Sequence, residues 1–314
     1  MNKIELINAV LAGEKPERIP ASFWFHFPKE KIGGEAMAQA HLEYYHFCDV
    51  DFLKVMNDNR YDMPPEMPVI EKPEDWAQLP GNPVSAPNYQ KQISGLKILA
   101  EKLKGEAYFI TTIFDPMATG NYISNRKVIE HLRENPSATM KGLYAIAQSL
   151  ADFAAACIEA GAAGIYYSAQ AGGIRKMTRE EHLKYMRPLE MMIWDAASSK
   201  GIFNLLHICG PEMYFDNYRH YPFDVVNWAI GEPGNFSIAE GKEFFKKPVC
   251  GGLDNNGVIV SGSKEDIKQA VRKALTEGGD TNFMLGANCT VPSNINLENI
   301  RTAINATRSE KDFG

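Results

Sequence analysis

The chain has 314 residues, of which 45% are hydrophobic and 23% are charged, and its formal net charge is −6. This negative balance argues against the basic, phosphate-neutralising surface of a nucleic-acid-binding protein. No apolar run approaches the roughly 20 residues that span a bilayer, and five cysteines, a sparse and odd number, favour the reducing cytoplasm over a secreted disulfide framework.

Hydrophobic periodicity predicts helices that alternate with short apolar strands. The amino-terminal residues 1–14 predict an amphipathic helix rather than a signal peptide, because their apolar side chains recur at helical spacing. Further helices are predicted over residues 35–47, 90–103, 136–160, 178–200, 238–245, 263–276 and 297–307. Strands are predicted over residues 19–25, 51–56, 107–113, 164–168, 202–208, 225–228, 248–251 and 282–286.

Repeated strand–helix units imply parallel strands, and eight of them fit a closed (β/α)₈ barrel better than an open sheet. No linker, repeat or low-complexity segment divides the chain, so residues 1–314 are expected to form a single barrel domain. In such barrels the active site lies at the carboxyl-terminal ends of the strands. Polar side chains at those ends are therefore the candidates for function.

His207 and Cys209 end the fifth predicted strand, in the run LLHICGP of residues 205–211. Alternation along a strand places both side chains on the same face. Imidazole nitrogen and thiolate sulfur suit zinc, and a catalytic zinc takes three protein ligands and keeps one open position. The other interpretation is a buried histidine beside a buried cysteine, and a third ligand has to come from another strand end.

Two cysteines can supply that third ligand, since Cys250 ends the seventh predicted strand and Cys289 follows the eighth. Cys48 and Cys157 fall in predicted helices and are expected in the core, where free cysteine behaves as a small hydrophobe. Cys289 is favoured because it lies in a loop of small residues that can bring its backbone close to a ligand. Cys250 stays open as a supporting or structural thiol.

Other polar residues are weaker candidates. Glu212 and Asp254 can orient a ligand or contact the zinc. His26, within the aromatic run of residues 23–27, is either part of a substrate platform or part of an aromatic lid. The remaining histidines have no ligand spacing and are expected at the surface; they are His41, His46, His131, His182 and His220.

Several stretches together resemble the uroporphyrinogen decarboxylase superfamily across nearly the whole chain. They are LAGEKPERIP at 11–20, EAGAAG at 159–164, LHICG at 206–210, GGLD at 251–254 and LENI at 297–300. The resemblance implies a single (β/α)₈ barrel. It also implies one of two activities, because the superfamily contains decarboxylases and zinc-dependent, corrinoid-linked methyltransferases.

The decarboxylase pattern is only partly present. It has two arginines after the first strand that hold porphyrin carboxylates, whereas residues 21–28 here read ASFWFHFP. It also has a histidine in the last-strand loop, where residues 285–289 read LGANC. Asp58, Tyr122 and Ser168 do match its active-site aspartate, tyrosine and serine, and the resemblance makes them candidate catalytic residues or pocket scaffolding shared by both branches.

The methyltransferase branch is similar in a His-x-Cys-Gly after the fifth strand and a cysteine in the last-strand loop, which His207, Cys209 and Cys289 match. This resemblance implies a zinc enzyme that moves a methyl group between a corrinoid protein and a small donor or acceptor, such as the thiol of coenzyme M. The chain lacks an Asp-x-His-x-x-Gly loop, so the corrinoid is expected on a separate protein. The alternatives are a cofactor-free decarboxylase and a non-catalytic tetrapyrrole or corrinoid binder.

Overall fold

Helices alternate with parallel strands through residues 1–309, the part of the chain that this computed structural model describes. The strands are β1 (Leu53–Val55), β2 (Phe109–Phe114), β3 (Gly164–Ala169), β4 (Leu205–Ile208), β5 (Val225–Trp228), β6 (Val249–Leu253) and β7 (Phe283–Ala287). The helices are α1 (Lys3–Leu11), α2 (Gly34–Cys48), α3 (Pro87–Lys102), α4 (Pro116–Ile123), α5 (Val128–Glu134), α6 (Pro136–Glu159), α7 (Arg179–Glu181), α8 (Arg187–Ser198), α9 (Phe215–Tyr218), α10 (Ile238–Phe245), α11 (Val258–Ser261), α12 (Lys264–Gly278) and α13 (Leu297–Ser309). Short 3₁₀ turns cover Lys29–Lys31 and Pro73–Gln78.

The seven strands form one curled sheet in the order β1 to β7, and every adjacent pair is parallel. Each strand therefore lies beside its neighbour in the chain, as in an α/β barrel. The register places His207 of β4 opposite Ser168 of β3 on one side and Asn227 of β5 on the other. Three polar residues thus form one row across the middle of the sheet.

The strand predicted over residues 19–25 does not form among the described residues. One parallel bridge joins Ala21 to Leu285 of β7, and the Ala21 carbonyl accepts a hydrogen bond from the amide of Asp51, just before β1. The segment therefore lies between the two edge strands but contacts each of them only briefly.

The chain leaves this ladder because its next carbonyl groups bind other partners. The Phe23 carbonyl accepts the hydroxyl hydrogen of Tyr44, and the Trp24 carbonyl accepts the amide hydrogen of Val291. The aromatic run is also buried through Phe25. Its side chains fix the path of the segment where a longer ladder would otherwise continue.

The predicted helix over residues 178–200 is interrupted. It begins with a capping box, in which the Thr178 side chain accepts from the Glu181 amide. A π-helical stretch, His182–Met186, then separates α7 from α8. Pro188 lies in the first turn of α8, and because proline has no amide hydrogen and crowds the preceding turn, it prevents a continuous α-helix there.

Helix α1 packs at the amino-terminal end of the strands. Its Ile7 and Val10 belong to the same buried cluster as Phe52, Phe203 and Leu205, which start or precede β1 and β4. The hydroxyl of Tyr108, just before β2, donates to Asn8 of α1 at 3.2 Å. Within residues 1–309 no helix combines the length and the apolar character needed to cross a membrane.

Candidate metal centre and cavity

A layer of polar side chains lies above an apolar layer inside the sheet. The apolar layer includes residues of five successive strands, and residues two positions further along each strand point to the same side. The lower residues are Phe52, Ile110, Tyr166, Leu205 and Val225; the residues above them are Lys54, Thr112, Ser168, His207 and Asn227. The polar layer lies toward the carboxyl ends of the strands, where barrel enzymes place their chemistry.

The structure brings together the three residues that the sequence predicted as metal ligands. Ligand atoms of His207, Cys209 and Cys289 all lie within 4.8 Å of one another, and the Cys289 Sγ is 3.5 Å from the His207 Nε2. Cys209 directly follows β4, and its amide donates to the Ala169 carbonyl at 2.9 Å. His207 is buried, whereas both cysteines are half-buried and face the cavity described below.

Asn227 determines which nitrogen of His207 faces the two thiols. The amide nitrogen of Asn227 donates to the carbonyls of Cys250 and Ala287, at 2.7 and 3.0 Å. Its oxygen therefore faces the His207 Nδ1, 2.5 Å away, and this nitrogen must carry the hydrogen. The Nε2 is left with a free lone pair directed at Cys289, which is the arrangement found in histidines that bind metals.

This donor set fits zinc. One imidazole nitrogen and two thiolates leave a fourth position open, as in catalytic zinc sites. In a tetrahedral site with Zn–N near 2.05 Å and Zn–S near 2.3 Å, nitrogen and sulfur ligands lie about 3.5 Å apart. The 3.5 Å between Cys289 Sγ and His207 Nε2 agrees with that spacing.

The two thiols influence each other's protonation in the metal-free protein. The pKa of Cys289 is lowered to about 3, chiefly because the Cys209 thiol donates a hydrogen bond to it and further because His207 lies beside it. The pKa of Cys209 is raised well above its usual range by the same hydrogen bond and by burial. The hydrogen bond between the two thiols therefore favours ionisation of Cys289 over ionisation of Cys209.

Cys250, the alternative ligand, lies elsewhere. Its side chain is fully buried in the apolar layer beneath the three clustered residues, and burial raises the pKa of its thiol. Only its carbonyl contributes, through the hydrogen bond from Asn227. Glu212 does not join the cluster either, since it pairs with Arg175 at 2.5 Å, and Asp254 is exposed at a turn, where it accepts from the amide of Asn256.

A cavity of about 210 Å³ lies above the cluster. Its wall is mixed polar and aromatic, and it is formed by His26, Lys54, Met56, Thr112, Phe114, Tyr122, Tyr166, Ser168, Gln170, His207, Cys209, Cys289 and Thr290. A larger cavity of about 560 Å³, lined by residues such as Arg18, Asp280 and Arg308, contains none of the predicted site residues. The smaller cavity is thus the candidate active site.

The three candidate catalytic residues have different positions. Ser168 lies in the cavity wall, directly beside His207 in the sheet. Tyr122 also lines the cavity but is 69% exposed at its rim. Asp58 lies behind the wall and accepts a hydrogen bond from the His26 Nδ1 at 2.7 Å. Asp58 is therefore connected to the cavity through His26, whose ring forms part of the cavity wall.

Lys54 is a cavity residue that the sequence analysis missed. It is 3% exposed, and its Nζ lies 4.4 Å from the centre of the Tyr166 ring and contacts the Met56 sulfur. Burial lowers the pKa of Lys54 to about 7. A lysine between Leu53 and Val55 of a strand buried on both faces is the signal that could have identified it.

Asp115 holds the loop after β3 in place. Its carboxylate caps α4 by accepting from the Ala118 amide at 2.6 Å, and it also accepts from the amides of Gln170 and Ala171. Burial, followed by the charge of Glu190, raises the pKa of Asp115 to about 6. The Asp115-Pro116 pair after an apolar strand is a recognisable cap signal.

The expectation that the other histidines lie at the surface is wrong for three of them. His41, His131 and His182 are buried. The His131 Nδ1 accepts from the Trp76 indole at 3.0 Å, and the His41 Nε2 accepts from the Met56 amide at 3.0 Å. Their partners are distant in the chain, so local spacing could not indicate them.

Several solved structures share this fold. A methyltransferase from Methanosarcina mazei matches with a TM-score of 0.79 at 17% identity, over 99% of this chain and 100% of that one. A B12-independent methionine synthase from Shewanella sp. W3-18-1 matches with 0.60 at 13% identity, over 94% and 97%. A β-mannanase from the blue mussel Mytilus edulis matches with 0.57 at 10% identity, over 96% and 94%. At such identities these matches establish the fold alone.

No curated protein sequence matches the chain. The sequence profile described as uroporphyrinogen decarboxylase matches residues 2–310. The match covers the sheet, the cavity and all three clustered residues, so the chain belongs to the uroporphyrinogen decarboxylase family.

Proposed function

We propose that this protein is a zinc-dependent methyltransferase that moves a methyl group between a corrinoid protein and a small donor or acceptor. The observation that carries the proposal is the cluster of His207, Cys209 and Cys289 at the cavity. The proposal takes the chain as a single barrel domain closed by the segment around Ala21, whose hydrogen bonds to Leu285 and Asp51 support that closure.

His207, Cys209 and Cys289 would hold the zinc. When bound, zinc ionises a coordinated thiol near neutral pH or polarises a donor oxygen, which prepares either group for methyl transfer. Asn227 keeps the His207 Nε2 directed at the cluster. The stacked ring of Tyr166, 5.3 Å from that of His207, covers the imidazole and keeps water from it.

His26, positioned by Asp58, would accept or donate the proton that methyl transfer releases or consumes. Asp58 accepts from the His26 Nδ1, so the other ring nitrogen is free to exchange a proton with a molecule in the cavity. The proposed roles therefore make His26 the group that meets the substrate and Asp58 its positioning residue. Ser168 and Tyr122 line the same cavity and would contact the substrate.

The residues of the cavity wall argue against uroporphyrinogen as the substrate. Within residues 1–309, Lys54 is the one lysine or arginine that lines the cavity, whereas eight carboxylates need several cationic groups. No arginine occurs at residues 21–28. The Methanosarcina protein with this fold is named a methyltransferase, which agrees with our choice of branch.

The size of the cavity supports a corrinoid carried by another protein. Pockets for drug-sized ligands are about 300–1,000 Å³, so a cavity of about 210 Å³ suits a small molecule and not a corrinoid ring. The methyl group would therefore be presented at the rim, near Tyr122. All five cysteines are free, which supports a reducing, cytoplasmic location.

Metal analysis combined with an assay tests the proposal. We expect about one zinc per chain in reduced protein, and zinc-dependent transfer of methyl from methylcobalamin to coenzyme M or from a methylated donor to reduced cobalamin. Cys250→Ser is the control variant that should keep both properties. If reduced apo-protein supplied with zinc still holds no metal, the proposal is overturned.

A further inference from the structure

Lys54 places a basic amino group inside the cavity. Its side chain is 97% buried, and its Nζ contacts the Met56 sulfur and lies over the Tyr166 ring. No carboxylate of the described residues forms an ion pair with it. The charges of Asp58 and Cys289 favour the charged form of Lys54, but Asp58 itself is paired with His26 at 2.7 Å.

An unpaired buried charge is costly to a folded protein unless a ligand completes it. A thioether and an aromatic ring are weak partners for an ammonium group and cannot replace a carboxylate. The Nζ faces a cavity that is large enough for a small molecule. The missing partner is therefore expected to arrive with the ligand.

We propose that Lys54 binds the acidic group of a small substrate, a carboxylate, sulfonate or phosphate, whose other end reaches the cluster of His207, Cys209 and Cys289. This inference rests on the proposed function, and it makes Lys54 the residue that selects acidic over neutral substrates. Among the described residues, no other lysine or arginine lines the cavity to take that role.

The geometry limits the length of the substrate. The Tyr166 ring lies 4.4 Å from the Lys54 Nζ and 5.3 Å from the His207 ring. The ammonium group is therefore at most about 10 Å from that imidazole. Since each bond of a carbon chain adds about 1.5 Å or less, the acidic group and the reacting atom are separated by only a few atoms. Thr112, Ser168 and Gln170 in the same wall offer hydrogen bonds to such a chain.

Calorimetric titration of the zinc-loaded protein with three small thiols tests the proposal. The probes are 3-mercaptopropionate, 2-mercaptoethanesulfonate and the neutral 3-mercaptopropan-1-ol. We expect at least one acidic thiol to bind about 10-fold or more tightly than the alcohol, since a charge-assisted hydrogen bond to the ammonium group is available only to the acid. The acid that binds best identifies the chemistry of the group.

Lys54→Met keeps the length of the side chain and removes its charge. We expect this variant to lose the preference for the acid while its affinity for the alcohol stays within about twofold. Lys97→Met makes the same change in net charge at an exposed position of α3 and should keep the preference. Circular dichroism melting shows that each variant is folded.

Two results overturn the inference: equal binding of acids and alcohol by the unaltered protein, or a preference that Lys54→Met preserves. A zinc-free arm separates this inference from the proposed function. If the protein binds no zinc, the proposed function fails, yet propionate or ethanesulfonate should still bind the unaltered protein and not Lys54→Met in saturation-transfer NMR. If neither the zinc-loaded nor the zinc-free protein shows binding that depends on Lys54, the proposed acid-binding role of Lys54 is overturned whether or not the protein binds zinc.

Discussion

Individual side chains in the cavity have roles that depend on one or two contacts each. Cys209 and Cys289 are joined by a hydrogen bond and lie beside His207, whereas Cys250 is packed among apolar side chains one layer below. Cysteines in adjacent layers of the same sheet thus have different environments. Substitution of each cysteine separates binding of metal from packing.

Cys289→Ser is expected to remove zinc binding and methyl transfer. Serine places a harder, poorly ionised oxygen where a soft thiolate is needed, so zinc affinity should fall by about 100-fold or more. Cys250→Ser should bind zinc normally and lose about 1 kcal/mol of stability, which is typical of a single substitution. Zinc titration with a chromophoric chelator measures both variants, and loss of zinc by Cys250→Ser alone would reverse our assignment of ligands.

Lys54→Met is expected to stabilise the protein most at and below neutral pH. Burial lowers the pKa of Lys54 from 10.5 to about 7, so between these values the unfolded chain binds more protons and stability rises with pH. The free-energy cost of burying charged Lys54 is complete below pH 7 and disappears as pH rises toward 10.5. The gain in the free energy of unfolding from Lys54→Met should therefore be about 2 kcal/mol smaller at pH 9 than at pH 7.

Urea unfolding at the two pH values measures this difference. Lys97→Met, at an exposed position, should show an effect that does not change with pH. A gain from Lys54→Met that is equal at both pH values would contradict the expected ionisation of Lys54.

The candidate ligands were predictable because all three are chemically distinctive and lie at predicted strand ends. The role of Lys54 was harder to predict, since a single lysine in an apolar strand is also typical of a strand at the edge of a sheet. The buried histidines were not predictable at all: His131 is bound by Trp76, which is 55 residues away in the chain. Local sequence indicates which residues can do chemistry, whereas long-range contacts decide which of them are buried.

At the scale of elements, most strands and helices followed from hydrophobic periodicity. Helices α4 and α5 were not predicted. Two further exceptions are places where side chains or prolines redirect the backbone. The Phe23 and Trp24 carbonyls bind partners outside the sheet, and Pro188 interrupts the helix between α7 and α8. Neither effect changes the apolar pattern from which the predictions were made.

The Asn227 side chain connects three other strands of the sheet. The side chain links His207 of β4 to carbonyls of β6 and β7. Asn227→Ala should release the imidazole and leave two buried carbonyls unpaired, so we expect zinc affinity to fall by about 10- to 100-fold together with a loss of stability.

Asn204→Ala is the matched control. Asn204 is also a buried asparagine that binds the backbone of a neighbouring strand, since its Oδ1 accepts from the Ile165 amide at 3.1 Å. It lies before β4, away from the cluster, so its substitution should lower stability and leave zinc affinity unchanged. Equal zinc affinity in both variants would show that Asn227 only supports the sheet.

At the scale of the whole molecule, family membership does not decide the reaction. The profile that matches residues 2–310 carries the name of a decarboxylase, yet the described part of the chain places one lysine and no arginine in the cavity wall. The barrel determines where the site is placed, and the side chains at the strand ends determine what it does.

Uroporphyrinogen is therefore expected to be a poor substrate. The cavity of about 210 Å³ is smaller than the pockets of drug-sized ligands, about 300–1,000 Å³. Of the lysines and arginines that the structure describes, it offers only Lys54 for the carboxylates of uroporphyrinogen. Anaerobic incubation with uroporphyrinogen, followed by chromatography of the oxidised porphyrins, should show no stepwise loss of carbon dioxide. Efficient decarboxylation would assign the protein to the other branch.

The position of α1 has a kinetic consequence. Because Ile7 and Val10 fill the amino-terminal end of the sheet, a small molecule has to enter the cavity from the rim where Tyr122 is exposed. A corrinoid protein that delivers its methyl group at the same rim would cover that entrance. Turnover would then follow a compulsory order, in which the small substrate binds before the protein partner docks and the methylated product leaves only after the partner has dissociated.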